Sequence, residues 1–141
     1  MILVILPNQL FAKHPGLKLN PSRVILLEDS LFFGDQRYPM QFHKQKLWLH
    51  RASMKRCESE LQNKGFETQY VDYDAKEPSL VDQLQKSIKR KDRKANKFCC
   101  IDPTDFVLEK RLRKACDVLD LSFEMLPNPG FLNSAEENQC Y

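Results

Sequence analysis

The sequence predicts an α/β domain, a Rossmann-like three-layer sandwich around a five-stranded parallel sheet in the order 3-2-1-4-5. Two observations carry this expectation. Short runs such as Ile2 to Leu6 and Val24 to Leu27 are continuously apolar, the pattern of strands covered on both faces. Segments of helical period separate those runs, and strands joined through helices imply right-handed crossovers into a parallel sheet. At 141 residues, 42% hydrophobic and 29% charged, the chain is long enough for one domain with a real core. That domain is expected over residues 1–132, with 133–141 a polar tail that frays.

In chain order, Ile2 to Leu6 reads as a buried first strand, and Pro7-Asn8-Gln9-Leu10 turns out of it. The opening run is too short for a signal peptide and lacks a leading basic patch. Phe11 to Ser22, broken by Pro15, Gly16 and Pro21, is an irregular connection with room for one helical turn. Arg23 to Glu28 is the second strand, closing on Glu28 and Asp29. Ser30 to Met40 reads as a loop with three exposed-looking aromatics, Phe32, Phe33 and Tyr38.

A long helix is expected from about Gln41 to Lys64, with Leu47, His50, Met54, Cys57 and Leu61 on its inward face and Gly65 in the left-handed position past its end. Phe66 to Tyr73 is the third strand. Pro78-Ser79 introduces a helix from Leu80 to about Lys89, with Leu80, Leu84 and Ile88 on one stripe. Lys97 to Ile101 is the fourth strand. A helix carrying Phe106, Leu108, Leu112, Ala115, Cys116 and Leu119 on its packing face follows, and Ser122 to Leu126 is the fifth strand.

In such a sheet a ligand binds beyond the carboxyl ends of the strands where the order reverses, here between the first and fourth. This selects Pro7 to Leu10, Glu28, Asp29 and Asp102 to Asp105, with the start of the long helix as a cover. A carboxylate there accepts hydrogen bonds from a heterocycle or a ribityl or ribose hydroxyl. Asp105 equally suits a helix start, Thr104 reads as a cap, and Asp102 as cap or ligand contact. His43, at the helix entrance, is a candidate for ligand or partner contact because helix starts attract anions. His50, flanked by apolar positions, reads as a core histidine.

Several function classes lose support. The chain contains neither Gly-x-Gly-x-x-Gly nor Gly-x-x-x-x-Gly-Lys-Ser/Thr, the usual cradles for pyrophosphate and triphosphate, and no Gly-x-Ser-x-Gly elbow. His43 and His50 stand two turns apart, about 10.5 Å along the helix axis, too far to share a metal. Five cysteines without Cys-x-x-Cys spacing support no zinc ribbon or disulfide framework, so a reducing cytoplasm is the expected location. Cys99 and Cys100 should point to opposite faces of their strand as small buried groups. A net charge of +3 does not argue for nucleic acid. The basic run Lys86, Lys89, Arg90, Lys91, Arg93, Lys94 and Lys97 reads as a solvated helix end, since no aromatic residue interleaves it. Direct DNA binding is not expected, and no apolar run reaches the roughly eighteen residues of a membrane span.

Strand one followed by Asn8-Gln9-Leu10, Glu28 after strand two, and Tyr38 followed by His43-Lys44-Gln45-Lys46 and His50-Arg51-Ala52-Ser53-Met54 resemble the N-terminal domain of the deoxyribodipyrimidine photolyase-related proteins, the bacterial iron–sulfur cryptochrome and photolyase group. The similarity runs on to Phe131-Leu132. Pro7-Asn8 stands where many relatives carry Gly-Asp, replacing a carboxylate with an amide. The resemblance implies an α/β domain that can hold a lumazine-type antenna chromophore near the loops after the first two strands. It implies packing against a helical domain that binds the flavin and an iron–sulfur cluster and repairs DNA. Flavin and cluster are not expected within this chain, which alone is expected not to be catalytic.

Two hypotheses follow. The chain is a small-molecule module with Asn8, Gln9, Leu10, Glu28, Asp29, Tyr38, His43, Lys46 and Asp102 as candidate ligand contacts. Alternatively it is a ligand-free interaction domain that uses Phe32, Phe33 and Trp48 to dock a helical partner or to form a homodimer.

Overall fold

The computed structural model describes residues 1–76, 79–88, 97–133 and Glu137. Its strands are β1 (Ile2–Ile5), β2 (Arg23–Leu27), β3 (Thr68–Val71), β4 (Lys97–Ile101) and β5 (Ser122–Leu126). They form one sheet in the order β3-β2-β1-β4-β5, every neighbouring pair parallel, as the sequence predicts. The helices are α1 (Ser30–Phe33), α2 (Lys44–Asn63), α3 (Leu80–Ser87) and α4 (Phe106–Val118), with a 3-10 turn over Pro15–Leu19.

The central strands have no wet face, which is why they read as unbroken apolar runs. Ile2, Val4, Leu6, Ile25, Leu27 and Cys100 pack on the side of α3 and α4, against Leu84, Leu108, Leu112 and Ala115. Leu3, Ile5, Val24, Leu26 and Cys99 pack on the opposite side, against Met54 and Leu61 of α2. Cys99 and Cys100 therefore do face opposite layers. Each fully buried leucine or isoleucine contributes about 1.5–3 kcal/mol.

Two starts differ from the expectation. The helix α2 begins at Lys44 rather than Gln41, because the His43 ring nitrogen Nδ1 accepts a hydrogen bond from the Gln45 amide (3.3 Å) and fixes the cap there. Its inward face is as predicted, and Gly65 beyond it has φ 85°. The cap of α4 is Asp105, not Thr104 or Asp102. The Asp105 carboxylate accepts from the Val107 and Leu108 amides, while Asp102 accepts from the Thr104 amide and holds Thr104 at φ 59°. The segment 30–40 is not all loop, since Asp29 caps the single turn α1. Pro78, Lys89, most of the basic run and most of the tail lie outside the described residues.

At the amino-terminal edge, Arg23 is buried at the start of β2 and pairs with Glu67, the residue before β3. No helix among the described residues is long and apolar enough to cross a membrane.

Candidate functional site

The carboxyl edge of the sheet carries two buried ionic centres at the end of β2, a polar latch joining β1 to β4, and a cavity on each side. Asn8 and Gln9 make the latch. The turn after β1 sends the Gln9 side chain inward, where Nε2 donates to the Ile101 carbonyl (2.7 Å) and Oε1 accepts from the Leu6 amide (3.3 Å). Asn8 donates to the Pro103 carbonyl (3.2 Å). These bonds tie the end of β1 to the end of β4 across the switch point, so both side chains are occupied in closing that crevice.

Glu28 is the first ionic centre. It is fully buried at the end of β2 and accepts from Arg51 Nε (2.8 Å) and Nη2 (2.6 Å), from the Tyr70 hydroxyl (2.6 Å) and from the Tyr73 amide (2.9 Å). Burial alone would raise its pKa, but these donors prevail and hold it below the ordinary value. Burial and the Glu28 carboxylate push the Tyr70 pKa up, so the phenol remains a donor. Beside this centre, Phe33 stacks on Tyr73 (5.9 Å between centroids), the Arg51 guanidinium lies over Phe33, and the His50 ring meets Phe32 at its edge (5.9 Å). Burial, then Lys46, lowers the His50 pKa. Phe32 and Phe33 are therefore half-buried packing groups, not the open surface their sequence suggests.

Asp29 and Asp35 form the second centre with Arg111 of α4. Arg111 Nη1 donates to Asp29 (3.1 Å) and to the Ser30 hydroxyl oxygen (3.0 Å), and Nη2 donates to Asp35 (2.6 Å). The Ser30 hydroxyl donates to Asp35 (2.5 Å). Burial raises the Asp29 pKa above its ordinary value. Asp35 goes the other way, to about 2, because hydrogen bonds from Ser30, Arg111 and two loop amides overcome the effect of its burial. The turn from α1 into Asp35 needs Gly34, at φ 146°, whose carbonyl accepts from the Tyr73 hydroxyl (2.6 Å).

The first cavity, about 390 Å³, lies between the turn after β1 and α2. Its wall includes Gln9, Leu10, Phe11 and His14 on one side and Ser53, Arg56, Cys57 and Glu60 on the other. His14 is buried and caps the 3-10 turn, its Nδ1 accepting from the Gly16 amide (3.2 Å). Burial lowers its pKa to about 4, so the ring is neutral at pH 7 and Nε2 carries the proton. That buried N–H has no partner among the described residues. The second cavity, about 450 Å³, lies on the other face between the 35–38 loop, α3 and α4.

The structure thus gathers Asn8, Gln9, Leu10 and Asp102 around the ends of β1 and β4, and Glu28 and Asp29 at the end of β2. Tyr38 lines the second cavity instead. His43 is an exposed cap, and Lys46 is exposed with its ammonium 4.6 Å from the Phe42 ring centre. No hydrogen bond or ion pair among the described residues links either to Glu28, Asp29 or Asp102. The sequence singles out Arg51 only as part of the motif at the start of the long helix and gives no site role to it, to His14 or to Arg111. A histidine just before Pro-Gly was the one local signal for His14, and the arginines' partners are far away in sequence. No group of three or more His, Cys, Asp or Glu among the described residues is placed to hold a metal ion.

An uncharacterized protein of Acanthamoeba polyphaga mimivirus is 34% identical over 134 residues, an alignment covering 93% of this chain and 65% of the relative. The chain thus spans less than two thirds of that relative's length. The profile of one family, deoxyribodipyrimidine photo-lyase-related protein, matches residues 3–141. With all but the first two residues inside that match, the chain belongs to the deoxyribodipyrimidine photo-lyase-related protein family.

Proposed function

We propose that this domain is a small-molecule binding module of the antenna-chromophore type, associated with DNA photorepair or light sensing, and that it takes a lumazine-type heterocycle in the cavity between the β1 turn and α2. The observation that carries this is the unpartnered, buried Nε2–H of His14, a residue that lines this cavity together with Gln9 and Leu10. A buried donor without an acceptor costs about 1–3 kcal/mol. A lumazine ring presents carbonyl acceptors that would relieve this, Leu10, Phe11 and Cys57 offer it apolar contact, and Ser53, Arg56 and Glu60 suit a ribityl chain. The flavin and cluster chemistry of photorepair is assigned to no residue of this chain.

Absorption spectra and titration with ribityllumazine test the reading. Ser53→Trp should fill the cavity and abolish uptake. His14→Asn keeps a cap acceptor but withdraws the ring donor, and should weaken uptake about tenfold. If the folded protein takes up no ribityllumazine, or if both variants take it up unchanged, the site is wrong.

One observation favours a second reading, a docking domain. Tyr38, Met40, Trp48 and Leu49 are exposed by 50%, 63%, 75% and 61%, and they cluster in sequence at the entrance of α2. Sedimentation that stays monomeric at every concentration, for wild type and Trp48→Glu alike, would count against self-association.

A further inference from the structure

The second cavity has a chemical character that the chromophore reading does not use. Four cations line it, Arg37, Lys110, Arg111 and Lys114, against the single carboxylate Asp35. Arg111 is already engaged by Asp35 and by Asp29 behind it. Arg37, Lys110 and Lys114 have no ion-pair partner among the described residues. The carboxylate that caps α4, Asp105, does not line the cavity.

Lys110 and Lys114 stand one turn apart on α4, and like charges at that spacing repel. Phe106 lies one turn before Lys110 on the same stripe. It opens the helix 76% exposed, not on the packing face where the sequence predicts it, and Tyr38 across the cavity is 50% exposed. Leu80, Val81 and Val107 complete an apolar lining. Unpaired cations next to exposed aromatic rings in one concave site match a ligand that is planar at one end and anionic at the other.

We propose that this cavity binds a nucleoside phosphate, with the base against Phe106 and Tyr38 and the phosphate held by Lys110, Lys114 and Arg37. A bare anion would leave both rings in water. A cavity of about 450 Å³ suits one nucleotide.

Calorimetric titration of the whole chain with adenosine monophosphate tests this, with adenosine and inorganic phosphate as the component probes. All substituted side chains are exposed, and circular dichroism checks that each variant folds. The double variant Lys110→Ala/Lys114→Ala should bind adenosine monophosphate about tenfold more weakly or worse. Phe106→Ala should weaken adenosine monophosphate but leave any inorganic phosphate binding unchanged. The charge-matched pair Lys13→Ala/Lys18→Ala, on the far side of the sheet, should bind like wild type. Three results would overturn the proposal: no binding by the folded wild type, equal loss in the two lysine pairs, or inorganic phosphate binding as tightly as the nucleotide. Ser53→Trp acts on the other cavity, so the failure of one site is separable from the failure of the other.

Discussion

Arg51→Ala and Glu28→Gln break the same ion pair from opposite sides and should not cost the same. The carboxylate is fully buried, whereas the guanidinium side chain is 48% exposed. Removing Arg51 strands a buried charge with only the Tyr70 hydroxyl and the Tyr73 amide as donors. Breaking a buried pair in this way costs about 3–5 kcal/mol, and the partial exposure of Arg51 and the two remaining donors bring the expectation down to about 2–4. Removing the charge instead frees an arginine that can turn to water. The glutamine carbonyl still accepts from Tyr70 or Tyr73, so the expected loss is about 1–2 kcal/mol.

Their pH dependence should differ too. The native Glu28 pKa is depressed, so its stabilisation is present above the unfolded value and is lost as pH falls through the folded value. Without Arg51, burial governs and the folded pKa rises, so the stranded carboxyl can accept a proton and the penalty of Arg51→Ala should shrink toward pH 4. Urea unfolding followed by circular dichroism at pH 7 and pH 4 measures both effects. If Glu28→Gln costs as much as Arg51→Ala, or if the gap between them is the same at both pH values, the stranded buried charge is not what makes Arg51→Ala costly.

Gln9→Leu fills a similar space but leaves the Ile101 carbonyl and the Leu6 amide without their partners, and should lower unfolding free energy by about 1–3 kcal/mol in the same assay. A Cβ at Gly16 would meet Leu3 Cδ1 at 2.5 Å, so Gly16→Ala must displace a core side chain and should cost about 1–3 kcal/mol by thermal unfolding. Carboxyl resonances followed by nuclear magnetic resonance should show Asp35 titrating near pH 2 and Asp29 above its ordinary value. Asp35 then stabilises the fold at neutral pH and loses that contribution progressively as pH falls from its ordinary value to about 2, whereas Asp29 opposes folding as pH rises from its ordinary value through its raised pKa. Burial pushes the Cys100 thiol up to about 12, so a thiol reagent at pH 8 should leave it unmodified in the native state, as judged by mass spectrometry.

The sheet order was legible because each central strand is an unbroken apolar run and each connection is long enough for a crossover. The inward stripe of α2 was legible for the same reason, a period that no other local structure matches. The ionic centres were not. Glu28 is 23 residues from Arg51 and 42 from Tyr70, and Arg111 is 82 from Asp29, so their partners exist only after the layers have docked. That carboxylates stand at the strand ends was legible from the strand boundaries, but their division into separate centres and their saturation by protein donors could not be read from spacing. The cap at His43 was obscured because histidine seldom fills that position. His14 gains its meaning only from the tautomer that the Gly16 amide imposes.

The pairing of Arg23 with Glu67 at one end of the β2–β3 ladder has a counterpart in Glu28 with Tyr70 and Tyr73 at the other. An edge strand has only one neighbour to set its phase, and a shift of one residue exchanges its two faces. Two charged fastenings, one before the strand and one at its end, leave no position along the ladder that satisfies both except the native one. The outer rim of the sheet therefore presents its open amides and carbonyls in a single alignment, and any chain that added a strand there would have to match that phase.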